Sequence, residues 1–169
     1  GNVVSESGAD AVFITTDATN AAMPILLQVM PENGVDQEQT QYIGLTRWDV
    51  KPELFAYPGA NGAWFALPNQ SMQRNFTSRY SAAYGENPHP LAGLAFDGIA
   101  AIGALVKQGR GDALTGRALT QSAGFQGTGG VFRLKSDGTN ERGLAVATVR
   151  NNQMVILDPA PSSFSGAGF

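Results

Sequence analysis

The first 67 residues alternate short apolar runs with helix-forming segments, and this alternation constrains the fold more than any other feature. Each apolar run is rich in β-branched and aromatic residues, as buried strands are; the runs cover residues 10–15, 42–45 and 62–67. Capping residues at 16–20 predict a helix after the first run, and residues 50–57 form a second short helical segment. Since strand–helix–strand repeats build parallel sheets with right-handed crossovers, we expect an α/β fold with a parallel sheet.

The middle of the chain has a helical pattern. Phe76, Tyr80 and Tyr84 follow one another at intervals of four residues, which indicates one face of an amphipathic helix. A longer helix is predicted from Leu91 to Val106. It is too short for a membrane span, and Asp97 near its middle makes it too charged for one. A further short helix is expected from Leu114 to Gln121.

The last third predicts an antiparallel meander. Apolar runs at 131–134 and 144–149 flank the tight-turn pair Asp137-Gly138, and Asn151-Asn152 then turns the chain into a strand at 154–157. We expect residues 1–9 to be a loose lead-in and the Pro-, Ser- and Gly-rich residues 159–169 to be a flexible tail.

Composition excludes several classes of protein. The net charge is −3 and the pI is near 5.0, which argues against nucleic-acid binding because that requires a basic surface. With 21 Gly, 9 Pro and only 15% charged residues, the chain does not resemble a coiled coil. It contains no Cys and therefore no disulfide or thiolate chemistry.

No residue pattern points to catalysis. His89, the only histidine, lies between two prolines and has no second His or Cys with which to form a triad or a zinc site. Gly127–Gly130 precedes a strand and lacks the Lys of a phosphate loop, and Asp137–Glu141 is too short for a calcium loop. We therefore predict a protein that is not an enzyme and that uses no metal or cofactor.

Asp97 is unusual because it interrupts an apolar helix. A carboxylate in such a place is either hydrogen-bonded to a neighbouring helix end or loop, or catalytic. We favour the hydrogen-bonded interpretation.

Four stretches, in this order, resemble motifs of the type I periplasmic binding-protein fold, the family of branched-chain amino-acid receptors. They are Gly8–Ile14 (GADAVFI), Phe76–Gly85 with its F…Y…YG pattern, Ala95–Gly98 (AFDG) and Phe125–Phe132 (FQGTGGVF). The hairpin from Phe132 to Val146 and the segment Val155–Pro161 look most like the penicillin-binding protein activators of alphaproteobacteria. This resemblance implies a partial three-layer parallel sheet of the type I fold, with a C-terminal antiparallel hairpin.

The resemblance covers only the later part of that two-lobed fold. By analogy, residues 10–66 belong to the second lobe, 71–145 to the first, and 146–158 return to the second. The opening units of the first lobe have no counterpart, so we expect uncovered apolar surface and hence self-association or pairing with a missing lobe.

Two loops are candidates for ligand binding, because ligands of open α/β sheets contact the carboxyl ends of the parallel strands. Thr16 and Asp17 follow the first strand, and the second is followed by Thr46, Arg47, Trp48 and Asp49. Arg47 could hold a carboxylate bidentately and Trp48 could stack on a ligand or cap the cleft. The alternative is that Asp17 and Asp49 cap helices and that Trp48 fills a gap.

The resemblance implies a non-catalytic, lipid-anchored module of the periplasm or cell envelope. Its expected role is to regulate peptidoglycan synthesis by contact with a peptidoglycan synthase. The alternative is a receptor that delivers an amino acid to an ABC permease.

Overall fold

The computed structural model describes residues 2–89, 91–109 and 114–164. The chain forms two compact units. Unit 1 contains the residues up to Leu67 together with Ala145–Pro159, and unit 2 contains Pro68–Leu144 and the residues from Ala160 onward. That these units correspond to the two lobes inferred from the resemblance stays a prediction.

Unit 1 is built on one five-stranded sheet. Its strands are β1 (Ala11–Ile14), β2 (Gln41–Gly44), β3 (Trp64–Leu67), β7 (Ala145–Arg150) and β8 (Gln153–Asp158), in that spatial order. The pairs β1–β2 and β2–β3 are parallel, whereas β7 is antiparallel to both β3 and β8. The predicted parallel sheet and the C-terminal antiparallel hairpin are thus confirmed.

The helical segments of unit 1 precede or connect its first three strands. They are α1 (Asn2–Ser7), α2 (Ala22–Glu32) and three 3₁₀ turns at Trp48–Val50, Pro52–Ala56 and Pro58–Ala60. The core includes Met23 and Leu27 of α2, which are fully buried with Tyr42 and Phe65 of the sheet. Gly59 allows the last 3₁₀ turn to approach α2, because a Cβ there would lie 2.4 Å from the carbonyl oxygen of Leu27.

Unit 2 combines helices with a three-stranded antiparallel sheet. Its elements are α3 (Gln70–Tyr84), α4 (Ala92–Lys107), α5 (Gly116–Leu119), β4 (Phe125–Gly127), β5 (Gly130–Leu134) and β6 (Asn140–Arg142). The side chain of Asn69 caps α3 by accepting the N–H groups of Ser71 and Met72. Gly85, with φ 77°, ends that helix in the left-handed conformation.

Helix α4 buries only one stripe of its surface. Ala101 and Leu105 pack with Phe125 and Phe132 in the core of unit 2, and Asp97 on the same stripe is 2% exposed. The opposite stripe is apolar and exposed; it consists of Ala95, Ile99, Ile102 and Val106. No helix among the described residues is both long and apolar enough to cross a bilayer.

The predicted meander is wrong in its strand pairing. The turn at Asp137-Gly138 joins β5 to the short β6, and the apolar run 144–149 becomes β7 in the sheet of unit 1. Ala147 and Val149 are fully buried in that sheet. A strand with buried apolar residues such as Ala147 and Val149 needs a sheet whose faces are covered. Strand β6, the partner of β5, is largely exposed instead.

Three local expectations also need correction. Residues 2–7 of the expected loose lead-in form α1. The helix expected at 50–57 consists of 3₁₀ turns, and the helix expected at 114–121 is reduced to the four residues of α5.

Ser162 and Phe164 of the predicted flexible tail make contacts within unit 2. Gln126 donates a hydrogen bond of 2.7 Å to the carbonyl of Ser162, and the Arg133 guanidinium lies 4.6 Å from the ring centre of Phe164. Both contacts lie within unit 2. The rest of the predicted tail, 165–169, lies outside the described residues.

Candidate functional site

The two predicted ligand-binding loops lie side by side at the carboxyl ends of β1 and β2. The N–H of Leu45 donates to the carbonyl of Ile14 at 3.0 Å, and the Thr46 hydroxyl donates to the carbonyl of Thr16 at 3.3 Å. The parallel register of β1 and β2 therefore brings the two loops together.

Asp17 organises the first loop. Its carboxylate accepts hydrogen bonds from the backbone N–H of Thr19 at 2.8 Å and from the Thr19 hydroxyl at 2.6 Å. These bonds lower the pKa of Asp17 below its ordinary value, because they stabilise the charged form. Asp17 therefore closes a turn ahead of α2, while the Asn20 side chain accepts the N–H of Ala22 at the start of that helix.

Arg47 and Asp49 form an ion pair within the second loop. The guanidinium contacts both carboxylate oxygens, with Nε–Oδ1 at 3.0 Å and Nη2–Oδ2 at 2.5 Å. The Arg47 side chain is 35% exposed and that of Asp49 is 11% exposed. The bidentate geometry expected for a ligand's carboxylate is thus occupied by the chain's own Asp49.

Trp48 is a core residue rather than part of a ligand-facing surface. It is fully buried, and its ring stacks on Phe65 with centroids 5.5 Å apart. Gly44 makes room for the indole, since a Cβ there would lie 2.5 Å from two of its ring atoms. The expectation that Trp48 stacks on a ligand or caps a cleft is therefore corrected: the indole fills the space beneath the loop.

Asp97 anchors α4 to the turn between β4 and β5. Its Oδ1 accepts the N–H of Thr128 at 2.6 Å, as the hydrogen-bonded interpretation predicts. Its Oδ2 makes no hydrogen bond and lies 3.7 Å from Nη1 of Arg142. Gly127 is needed at this contact, because a Cβ there would lie 2.5 Å from Oδ2.

Sequence reasoning did not identify a groove in unit 2. A cavity of about 280 Å³ is lined by Met72, Phe76 and Arg79 of α3, by Phe96 of α4, and by Gln126 and Thr128. The rings of Phe76 and Phe96 meet with centroids 5.4 Å apart. The spacing of Phe76, Tyr80 and Tyr84 was the available signal, but it predicts a packed helix face as readily as a groove.

The described residues contain no cluster of three or more His, Cys, Asp or Glu side chains that could hold a metal ion. His89 is exposed, and its Nδ1 accepts the N–H of Leu91 at 3.2 Å, as expected of a turn residue.

The profile of the periplasmic binding proteins matches residues 3–153 of the chain. The chain belongs to this family. The resemblance inferred from the four sequence stretches is thereby confirmed. No curated protein matches the chain.

Solved structures support the same fold. A protein of Rhodospirillum rubrum described as a branched-chain amino-acid ABC transporter matches with a TM-score of 0.69 at 16% identity, over 92% of this chain and 46% of its own. The leucine-binding protein LivK of Thermotoga maritima matches with a TM-score of 0.55 at 16% identity, over 92% and 45%. The C-domain of LpoA from Haemophilus influenzae, a regulator of PBP1A, matches with a TM-score of 0.51 at 14% identity, over 89% and 45%.

This chain thus spans about half the length of the solved relatives that it matches. At these identities the similarity shows a partial type I periplasmic binding-protein fold. The neighbours' descriptions are those of solute-binding and regulatory proteins.

Proposed function

We propose that the chain is a non-catalytic module of a lipid-anchored periplasmic or cell-envelope protein that regulates peptidoglycan synthesis by contact with a synthase. The LpoA C-domain, described as a regulator of PBP1A, has the same fold. The resemblance of the closing segments to penicillin-binding protein activators supports the same role.

The observation that carries this proposal is the internal pairing of the charges at the strand ends. Arg47 is engaged by Asp49, Asp17 is engaged by Thr19, and Trp48 is buried. A small amino acid would have to displace these contacts before it could use them. Such a surface favours protein contact over a preformed amino-acid pocket.

The test is glycan polymerisation by a purified bifunctional peptidoglycan synthase with and without this protein. We expect a rate increase that saturates with protein concentration and that persists in Asp17→Asn, because no ligand acts through that loop. No increase at saturating protein would contradict the proposal.

An amino-acid receptor of an ABC permease is the second candidate. It is favoured by the direct contact between the two loops at the carboxyl ends of β1 and β2, where the Thr46 hydroxyl donates to the carbonyl of Thr16, the residue before Asp17. Binding to the folded state alone would stabilise the protein by about 2.7 kcal/mol at a ligand concentration of a hundred times Kd.

A thermal-shift screen of amino acids and peptidoglycan fragments tests the second candidate. If it is correct, one amino acid raises the melting temperature by several degrees, and Asp17→Asn removes this shift. Asp137→Asn is the matched control, since Asp137 closes the same kind of turn on Thr139 in unit 2. Without any shift, the receptor hypothesis fails.

A further inference from the structure

Two neighbouring cavities of unit 2 form one groove along α3 and α4. The cavity of about 280 Å³ described above and a second one of about 250 Å³ share the lining residues Phe76, Arg79 and Phe96. The other lining residues of the second cavity are Tyr80, Tyr84 and Ala92. We call the two cavities together the α3–α4 groove. All of its lining residues belong to unit 2.

The walls of this groove are aromatic rings in a continuous series. Phe96 of α4 contacts Phe76 of α3, and Phe76 contacts Tyr80 with centroids 6.1 Å apart. Tyr80 in turn contacts Tyr84 at 4.6 Å. The series is open to solvent, since Phe96 is 56% exposed and Tyr84 is 69% exposed. Rings in this arrangement offer faces and edges against which a further aromatic ring can pack.

Arg79 gives the groove its charge, because it lines both cavities. Its side chain is exposed, and within the described part of the chain it makes no ion pair or hydrogen bond. The lining residues of the two cavities include no Asp or Glu. A guanidinium in such surroundings selects an anion, and its planar fork matches a carboxylate with two parallel hydrogen bonds.

The turn at Thr128 forms a polar end of the groove and is held in place. The N–H of Thr128 donates to the buried carboxylate of Asp97 at 2.6 Å. Gly93 leaves room for the Thr128 side chain, since a Cβ at Gly93 would lie 2.6 Å from Oγ1 of Thr128. This end of the groove is thus fixed before any ligand binds, which lowers the entropic cost of binding.

We propose that the α3–α4 groove binds a small aromatic carboxylate, with its ring against Phe76 and Phe96 and its carboxylate on Arg79. One arginine balances one negative charge, so a singly charged acid suits the groove better than a phosphate. Apolar walls with few polar groups are typical of sites for small organic molecules. The strand-end loops considered above belong to unit 1, so this binding is independent of the proposed function.

Titration of the full chain with phenylacetate, followed by heteronuclear NMR, tests this proposal. We expect saturable binding with the largest shifts at the amides of Arg79, Phe96 and Thr128, and none at those of Thr16 and Thr46. The neutral analogue phenylacetamide should bind about tenfold more weakly, because it cannot form the charge-assisted hydrogen bonds to Arg79.

Arg79→Gln tests the role of the guanidinium. It should weaken phenylacetate binding about tenfold and leave both phenylacetamide binding and the melting temperature unchanged, because Arg79 is exposed. Arg74→Gln is the matched control, since Arg74 is exposed on the same helix and lines neither cavity. It should bind both ligands like the parent chain. Phe96→Ala should weaken both ligands, because it removes a ring from the wall.

A chain that shows no saturable binding of phenylacetate at millimolar concentrations overturns the proposal. So do equal affinities for phenylacetate and phenylacetamide, and so does equal weakening by Arg74→Gln and Arg79→Gln, which would indicate a general effect of charge. Shifts at Thr16 and Thr46 instead of the groove would place the acid at the strand-end loops and also contradict it. If phenylacetate dissociates a dimer in sedimentation velocity, a second copy and not a small acid occupies the groove.

Discussion

At the scale of single residues, Gly44 is fixed by the indole of Trp48. A Cβ at Gly44 would lie 2.5 Å from the ring atoms of Trp48, and Trp48 is held between this site and Phe65. Gly44→Ala should therefore lower the free energy of unfolding by about 1–3 kcal/mol, as overpacking does. Chemical denaturation measures the loss, and near-UV circular dichroism reports the displaced indole.

Gly98→Ala is the control for this substitution. Gly98 lies in α4, and a Cβ there meets nothing within 4 Å, so alanine should stabilise the helix by up to about 1 kcal/mol. Equal effects of the two substitutions would contradict the packing explanation.

Tyr42 gives the stability of unit 1 a dependence on alkaline pH. Burial, reinforced by the carboxylate of Asp36, raises the pKa of Tyr42 from 10.0 to about 12. The unfolded chain loses this proton first, so the stabilisation is complete below pH 10 and is lost as the pH rises from about 10 to 12. In urea titrations, Tyr42→Phe should lose less free energy of unfolding than the parent chain as the pH rises from about 10 to 12.

The same variant removes the hydrogen bond of 2.8 Å that the Tyr42 hydroxyl donates to the carbonyl of Val35. At pH 8 it should therefore cost about 1 kcal/mol. If the free energy of unfolding of Tyr42→Phe falls at alkaline pH as steeply as that of the parent chain, Tyr42 is not the titrating group.

At the scale of elements, the turn between β7 and β8 determines the register of the C-terminal hairpin. Both Asn151 and Asn152 have positive φ, which costs an ordinary side chain roughly 1–2 kcal/mol and glycine nothing. Asn152→Gly should therefore stabilise the chain, and Asn152→Val should destabilise it by about that amount. Thermal melts of both variants check this, and stabilisation by valine would contradict the turn assignment.

The sequence predicted elements best where one pattern had one structural solution. The apolar runs of β1, β2 and β3 were correctly placed because short β-branched segments between helices have few alternatives. The run at 144–149 was equally compatible with two antiparallel partners, and its local pattern could not indicate which sheet would bury it. The helix at 114–121 was overestimated because a four-residue helix has too few turns for a periodic signal.

At the scale of the whole molecule, the exposed stripe of α4 departs from an ordinary soluble surface. Ile99 is 72% exposed, Ile102 is 42% exposed and Val106 is 54% exposed. Apolar surface of this kind marks a site of interaction. The expectation of self-association or of a covering lobe therefore stays a prediction.

Ile99→Lys tests whether this stripe is free in the chain itself. We expect less binding of a hydrophobic dye and higher solubility at an unchanged melting temperature, because the new charge faces water. Ala101→Lys is the matched control on the buried stripe, since Ala101 is 5% exposed, and it should lower the melting temperature. A similar fall in Ile99→Lys would show that the stripe is already covered.

The candidate site could be predicted in position but not in chemistry. That Thr16, Asp17, Thr46 and Arg47 belong to neighbouring loops follows from the parallel strands, because the carboxyl ends of such strands share one edge. Whether Arg47 is free for a ligand depends on the rotamer that places Asp49 against it, and whether Trp48 is exposed depends on the space above Gly44.

The sequence by itself determined the alternation of strands and helices, the absence of Cys, and the tight turns at Asp137-Gly138 and Asn151-Asn152, because these depend on local pattern and backbone preference. Only the tertiary structure decided that β7 joins the sheet of unit 1, that Trp48 is buried, and that β8 is an outer strand of that sheet. These features arise from contacts between segments that are distant in the sequence. The free energy of such contacts depends on the surface that the segments bury together, so the sequence of one segment does not encode it.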